Sequence, residues 1–269
     1  MTSTEHFLSR IDWRQPWLTP LLPVARPVLE AQDWRQAINA AAVEKTLRNH
    51  RSLPIQFVPQ DQLPPGMAYE AYISETGCVP TRENLHDFFN ALVWLTYPQI
   101  KVQLNALQAA EIALAFKSNA QQAHRGKVRD AATIFDENAA LLISCDQELI
   151  ESLRAHQWAD AFVTRRDRFQ NSCEVRLFGH ALMEKLVAPY KAITAHAWVV
   201  MVDASFFRTD EVQKKARIES TVAGQLQGGL QTSGFTPLPV LGVPGWYEIQ
   251  DSTFYDDSTV FRPKRTPVT

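Results

Sequence analysis

"AATIFDENAALLIS", residues 131–144, bears directly on what kind of sheet this chain builds. Two apolar runs rich in Ile, Phe and Leu flank Asp136, Glu137 and Asn138, residue types suited to a turn. The pattern reads as a β-hairpin, which predicts an antiparallel pair of strands.

Working outward, "CEVRLF" (173–178) alternates as a strand, Gly179 is a flexible joint, and "HALMEKLV" (180–187) is a short helix. "ITAHAWVVMV" (193–202) is β-branched enough to be a strand, although period alone does not separate it from a buried helix. "LPIQFVP" (53–59) and "AYEAYI" (68–73) offer two more short strands. Asp33 caps an expected helix from Trp34 to Arg48, and Asp146 caps one over "QELIESLRAH". Further helices are expected to start at Trp158 and to cover Thr209 to Gln225. The tail from Gly228 reads as loop, with Trp246 of "PLPVLGVPGW" (237–246) plugging the core.

The helix in "NLHDFFNALVWLTYP" (84–98) has Thr81 as its candidate cap and should stop near Thr96, because Pro98 disfavours a helical Tyr97. Pro98 then opens a second helix through Ile100, Leu104, Leu107, Ile112 and Leu114 to about Phe116. Residues 1–35 place Trp13, Trp17 and Trp34 among four prolines, a composition that suits an arm packed on the body. The expected fold is therefore α+β: a single domain over 36–269, with helices on a small mixed or antiparallel sheet and long proline-rich terminal segments. No internal repeat or clean linker divides the chain.

Length and composition narrow the function. A chain of 269 residues with 45% hydrophobic content can bury a substantial core. The balance of 27 Lys+Arg against 29 Asp+Glu leaves a net charge of −2, which argues against a nucleic-acid partner held by a basic surface. Cys78, Cys145 and Cys173 form no CxxC pair, so neither a disulfide framework nor a cysteine-rich zinc site is expected. Reduced thiols, a start (MTSTEHFLSRIDW) without signal-peptide features, and a longest apolar run (AWVVMV) too short for a bilayer predict a soluble cytoplasmic protein.

Candidate chemistry falls in five places. At about 100° per residue, Leu85, Phe88, Phe89, Leu92, Val93 and Leu95 share one arc of the 84–96 helix. The opposite arc holds Glu83, His86, Asp87, Asn90 and Trp94, with no lysine or arginine. A solvated face normally carries long cations, so this one suits a cleft wall, the competing reading being a capped, half-buried helix. In "LFGHALMEK", His180 and Glu184 lie at i, i+4 on one face. The helix N-terminus favours a neutral His180 imidazole, as a metal ligand or general base requires, and Glu184 can ligate or hold the ring's tautomer. An isolated HxxxE is also a common surface pair.

Asp130, Asp136 and Glu137 add carboxylates at the expected turn, where backbone hydrogen bonding is the ordinary role. "HRGKVR" (124–129) gathers Arg125, Lys127 and Arg129 around a glycine, a cofactor-binding candidate for a phosphate or carboxylate and otherwise a solvated loop. "FYDDSTVFRP" (254–263) carries Asp256, Asp257 and Arg262 between anchoring aromatics, a structural segment first. No GxGxxG, HExxH, GxSxG or Walker pattern occurs.

The stretches "GCVPTRENLHDFFNALVWLTYP", "RDAATIFDENAALL", "FGHALMEKLVAPYKAITAHA", "LPVLGVPGW" and "FYDDSTVFRP", spread in order between Pro54 and Pro263, resemble a bacterial family designated domain of unknown function 3025. The resemblance implies a single soluble bacterial domain and transfers no substrate or catalytic residue.

Two functions lead, ahead of a nucleotide or RNA-processing role through His124 to Arg129. The first is a small-molecule enzyme of hydrolase type, with His86, Asp87, Asn90, His180, Glu184, Asp136 and Glu137 in one cleft. A divalent metal on His86, His180 and Glu184 would make it metal-assisted. The second is a non-catalytic binding or interaction protein in which these polar clusters are structural. The distance between His86 and His180 in the folded chain separates the two.

Overall fold

The continuous apolar run Ala139–Ser144 forms the second strand of a four-stranded sheet, paired on both sides and buried at all six positions. The computed structural model describes residues 7–117 and 126–264. In chain order its main elements are α1 (Leu22–Leu29), α2 (Trp34–Glu44), β1 (Gln56–Pro59), α3 (Tyr69–Thr76), β2 (Cys78–Thr81), α4 (Leu85–Thr96) and α5 (Pro98–Lys117). They continue with α6 (Lys127–Asn138), β3 (Ala139–Ser144), α7 (Gln147–Arg154), α8 (Arg166–Ser172), β4 (Cys173–Leu177), α9 (His180–Lys185), β5 (Thr194–Met201), α10 (Glu211–Gln227), β6 (Phe235–Pro239) and α11 (Ser252–Tyr255).

The main sheet runs β4-β3-β5-β6, with β3 antiparallel to β4, parallel to β5, and β5 antiparallel to β6. β1 and β2 form a separate parallel pair. The protein is thus α+β with a mixed sheet.

Residues 131–144 are not a hairpin. Ala131, Ala132, Phe135 and Asp136 are buried at helical spacing in α6, which runs straight into β3 without a turn. A strand covered on both faces is apolar throughout rather than alternating, so "AALLIS" carries no period to reveal its neighbours.

"AYEAYI" is also helical: it opens α3, which ends at Gly77 with φ 76°, the left-handed geometry of a helix C-cap. A Cβ at Gly77 would stand 2.2 Å from the Pro54 carbonyl oxygen, so that junction admits only glycine. Thr81 closes β2 and donates its hydroxyl to the Val79 carbonyl, while Asn84 caps α4 by accepting from the Asp87 N–H. The tail beyond Gly228 contains β6, an edge strand, which is where Pro237 and Pro239 are tolerated.

The aromatic N-terminal segment is built into the core. Trp17, Leu21 and Trp34 are buried, Trp34 meets Phe88 edge to face, and Trp17 lies against Trp246. Among the described residues no helix is long and apolar enough to cross a membrane.

Candidate functional site

Three helix ends meet at one place. α4 and α9 begin side by side, so each contributes a histidine from its opening turn, and α6 ends there with Asp136 and Glu137. Gly179 makes the meeting possible, because a Cβ at that position would lie 2.5 Å from the Asn138 nitrogen and 2.6 Å from that of Ala139. The chain reversal after β4 therefore presses against the α6–β3 junction and delivers His180 beside Glu137.

The two imidazoles face each other Nε2 to Nε2 at 3.0 Å. The Glu137 carboxylate stands 3.5 Å from His180 Nε2 and 3.9 Å from His86 Nε2. On the far side of its ring, His86 Nδ1 hydrogen-bonds Glu184 Oε2 at 3.0 Å. Glu184 thus orients His86, not the His180 ring four residues before it in the same helix. A carboxylate on Nδ1 fixes that nitrogen as the proton-bearing one and leaves the Nε2 lone pair directed at the cluster. Burial drives the His180 pKa down to about 3, with the Asp136 charge too weak to offset it, so this ring is neutral throughout the physiological range.

A buried polar layer supports the cluster. Lys101, 3% exposed, donates to Asp136 Oδ1 at 2.6 Å and to Asn90 Oδ1 at 2.9 Å, and Asn90 Nδ2 donates in turn to the Tyr69 hydroxyl. Burial works against ionisation of Asp136, but the Lys101 ammonium hydrogen-bonded to it holds its carboxyl below the usual range. Glu137 is shifted the opposite way, upward, by burial and by the negative charge of Asp136. Asp87 is tied down by Arg82, accepting from its backbone N–H and from both Nε and Nη2.

Most of the arc of α4 that lacks cations is closed to solvent, with His86 half-buried and Glu83, just before the helix, exposed. Asp87, Asn90 and Trp94 are buried, and the cation that the sequence withholds from this helix arrives from α5, with Lys101 Nζ 5.2 Å from the Trp94 ring centre.

A cavity of about 280 Å³ opens over the cluster. His86, Asp87, Asn90, Asp136, Glu137 and His180 all line it. Glu184 reaches it through His86. Arg129 lines an adjoining hollow of about 170 Å³ that shares Tyr69, Glu70, Asp136 and Glu137. Lys127 faces a different cavity beside Asp130, and Arg125, like His124, lies outside the described residues. Asp256 and Asp257 are elsewhere, with Asp257 paired to Lys191.

Sequence reasoning overlooked Glu70 and Lys101. Glu70 lines the cavity, accepts from Asn105 Nδ2 at 2.7 Å, and has its pKa pushed up to about 7 by burial and the Asp136 charge. The signal for this layer was present in α5: Lys101, Asn105 and Gln108 recur at i, i+4, i+7 and are all buried, whereas Leu114, expected on the apolar face, is exposed.

The family model described as "Protein of unknown function (DUF3025)" matches residues 55–265, most of the chain, and the chain belongs to that family. No curated protein and no solved structure matches it.

Proposed function

We propose that this member of the DUF3025 family is a metal-assisted hydrolase of a small polar molecule, with His86, His180 and Glu137 as the protein ligands of one divalent cation. The observation that carries the reading is convergence: one ligand atom from each of these residues lies within 4.8 Å of the others, at the edge of an open cavity. Ligands held about 2.0–2.2 Å from a tetrahedral cation stand roughly 3.3–3.5 Å apart, close to the 3.0, 3.5 and 3.9 Å spacings here. Two histidines and a carboxylate with a side left open is a catalytic rather than a structural donor set.

A cation so held would lower the pKa of a bound water and polarise a substrate carbonyl or phosphoryl oxygen. Glu184 would raise the basicity of His86 through Nδ1. Glu70, titrating at about 7 in the same cavity, has the proton affinity of a general base or acid near neutral pH. Elemental analysis of protein purified without chelators tests the assignment. One equivalent of divalent metal, lost in both His86→Ala and His180→Ala, is the expected result, and a metal-free wild type would defeat it.

One observation favours a second, non-catalytic reading. The 3.0 Å Nε2–Nε2 contact is itself a good hydrogen-bond length, so a Glu184–His86–His180 chain can be satisfied as plain structure. Among the described residues His180 Nδ1 is buried without a partner in that arrangement, which is least costly when it is the unprotonated nitrogen and His180 Nε2–H donates to His86.

A further inference from the structure

A cavity of about 780 Å³ shares no lining residue with the His86–His180 site. Its walls are apolar and stiff. Pro16 and Pro20 come from the N-terminal segment, Phe169 from α8, and Val243 and Trp246 from the loop after β6. Proline fixes φ, so this wall is formed in advance rather than assembled around a ligand. The volume falls within the range of roughly 300–1,000 Å³ typical of small-molecule pockets.

The polar groups at this cavity are unequally matched. Glu174 and Glu211 are already engaged by Arg176 and Lys214. Lys45 and Lys215 also line the cavity, and neither makes an ion pair among the described residues. The carboxylate whose charge acts on them both is the buried Glu219, which spends one oxygen on the Gln99 N–H. Two lysines against one carboxylate leave a single positive charge at an apolar pocket. Thr96 is a second polar group here without a protein partner: it lines the same cavity, is 2% exposed, and its hydroxyl has no hydrogen-bond partner among the described residues. A buried hydroxyl without a partner costs about 1–3 kcal/mol.

We propose that this cavity is a second binding site and that it takes an aliphatic monocarboxylate of the fatty-acid class. The apolar chain would lie against Pro16, Pro20, Phe169 and Trp246, and the carboxylate would be held by Lys215 and Lys45 with the Thr96 hydroxyl donating. The single net charge selects a monoanion over a dianion, and the apolar wall selects a chain over a bare anion such as acetate.

Titration of the full-length protein with decanoate and, in parallel, with decanol tests this by calorimetry and by quenching of tryptophan emission. Decanoate should saturate at one molecule per chain and bind about tenfold or more tighter than decanol, the discrimination expected of one charge-assisted contact. Lys215→Met should bring decanoate down to the level of decanol. Thr96→Val, nearly isosteric, should weaken decanoate by a smaller factor and leave decanol unchanged. Equal affinities of the wild type for decanoate and decanol would overturn the proposal without recourse to any variant. So would decanoate binding that Lys215→Met leaves untouched. Sedimentation supplies the remaining outcome: a dimer that occludes the pocket and excludes decanoate would assign this face to a second copy of the chain instead.

Discussion

His86 and His180, 94 residues apart in sequence, meet with ring centres 4.4 Å apart and planes at 78°, each presenting Nε2 to the other. Neither ring reaches this geometry alone. His86 is turned by Glu184 from α9, and His180 is placed by the close approach of Gly179 to the α6–β3 junction. Each histidine is thus positioned by the part of the chain that carries the other members of the cluster.

The Glu184 contact should therefore tune the cluster without holding up the fold. Glu184→Gln removes a carboxylate from His86 Nδ1 but leaves an acceptor of the same size, at a side chain that is 41% exposed. Divalent-metal affinity, measured by competition with a chromophoric chelator, should drop about 10- to 100-fold, while the thermal midpoint of the chelated protein stays put. A fall in the apo-protein midpoint instead would make Glu184 a purely structural residue.

Lys101 is expected to behave in the opposite way. Its ammonium is shared between Asp136 and Asn90 inside the core, so Lys101→Met leaves a buried carboxylate uncompensated. Urea denaturation should register a loss of about 3–5 kcal/mol, most of it restored when Asp136 is replaced by Leu in the same chain. Additive losses in the double variant would mean the two groups are not coupled.

Stability should depend on pH through Glu70. Folding raises this carboxyl from 4.5 to about 7, so the folded state holds the proton more tightly than the unfolded chain. The native state is then favoured most below pH 4.5 and loses that advantage as pH climbs through about 7. Glu70→Gln keeps an acceptor for Asn105 but cannot ionise. Its thermal midpoint should match the wild type at about pH 4 and exceed it at about pH 8. A midpoint difference of the opposite sign would show that the carboxyl is not raised.

Gly179 admits no side chain for a reason independent of its dihedrals, which are ordinary for any residue. Gly179→Ala should force the α9 entry away from Asn138 and Ala139 at a cost of about 1–3 kcal/mol in chemical denaturation. Histidine resonances of His86 and His180 should shift together, since their contact depends on that approach. An alanine variant of wild-type stability with an unmoved histidine pair would sink this account of the junction.

What the sequence determined by itself is mostly local. Asp33 and Asp146 cap the helices they precede, and Pro98 separates α4 from α5, because caps and proline act over a few residues. The absence of lysine and arginine between Glu83 and Thr96 marked α4 as facing something other than water, which its burial bears out. What lay beyond reach was settled by packing. "AALLIS" is buried on both faces, so its apolar run had no alternation to tell a hairpin from a central strand. "AYEAYI" carries aromatic and β-branched residues into a helix, because it packs on α5 and β2 instead of pairing as a strand. The meeting of His86, Glu137 and His180, and the substitution of Glu137 for Glu184 beside the paired Nε2 atoms, was decided only in three dimensions. Helix ends from three separate segments come together there, and no residue spacing along the chain encodes the distance between them.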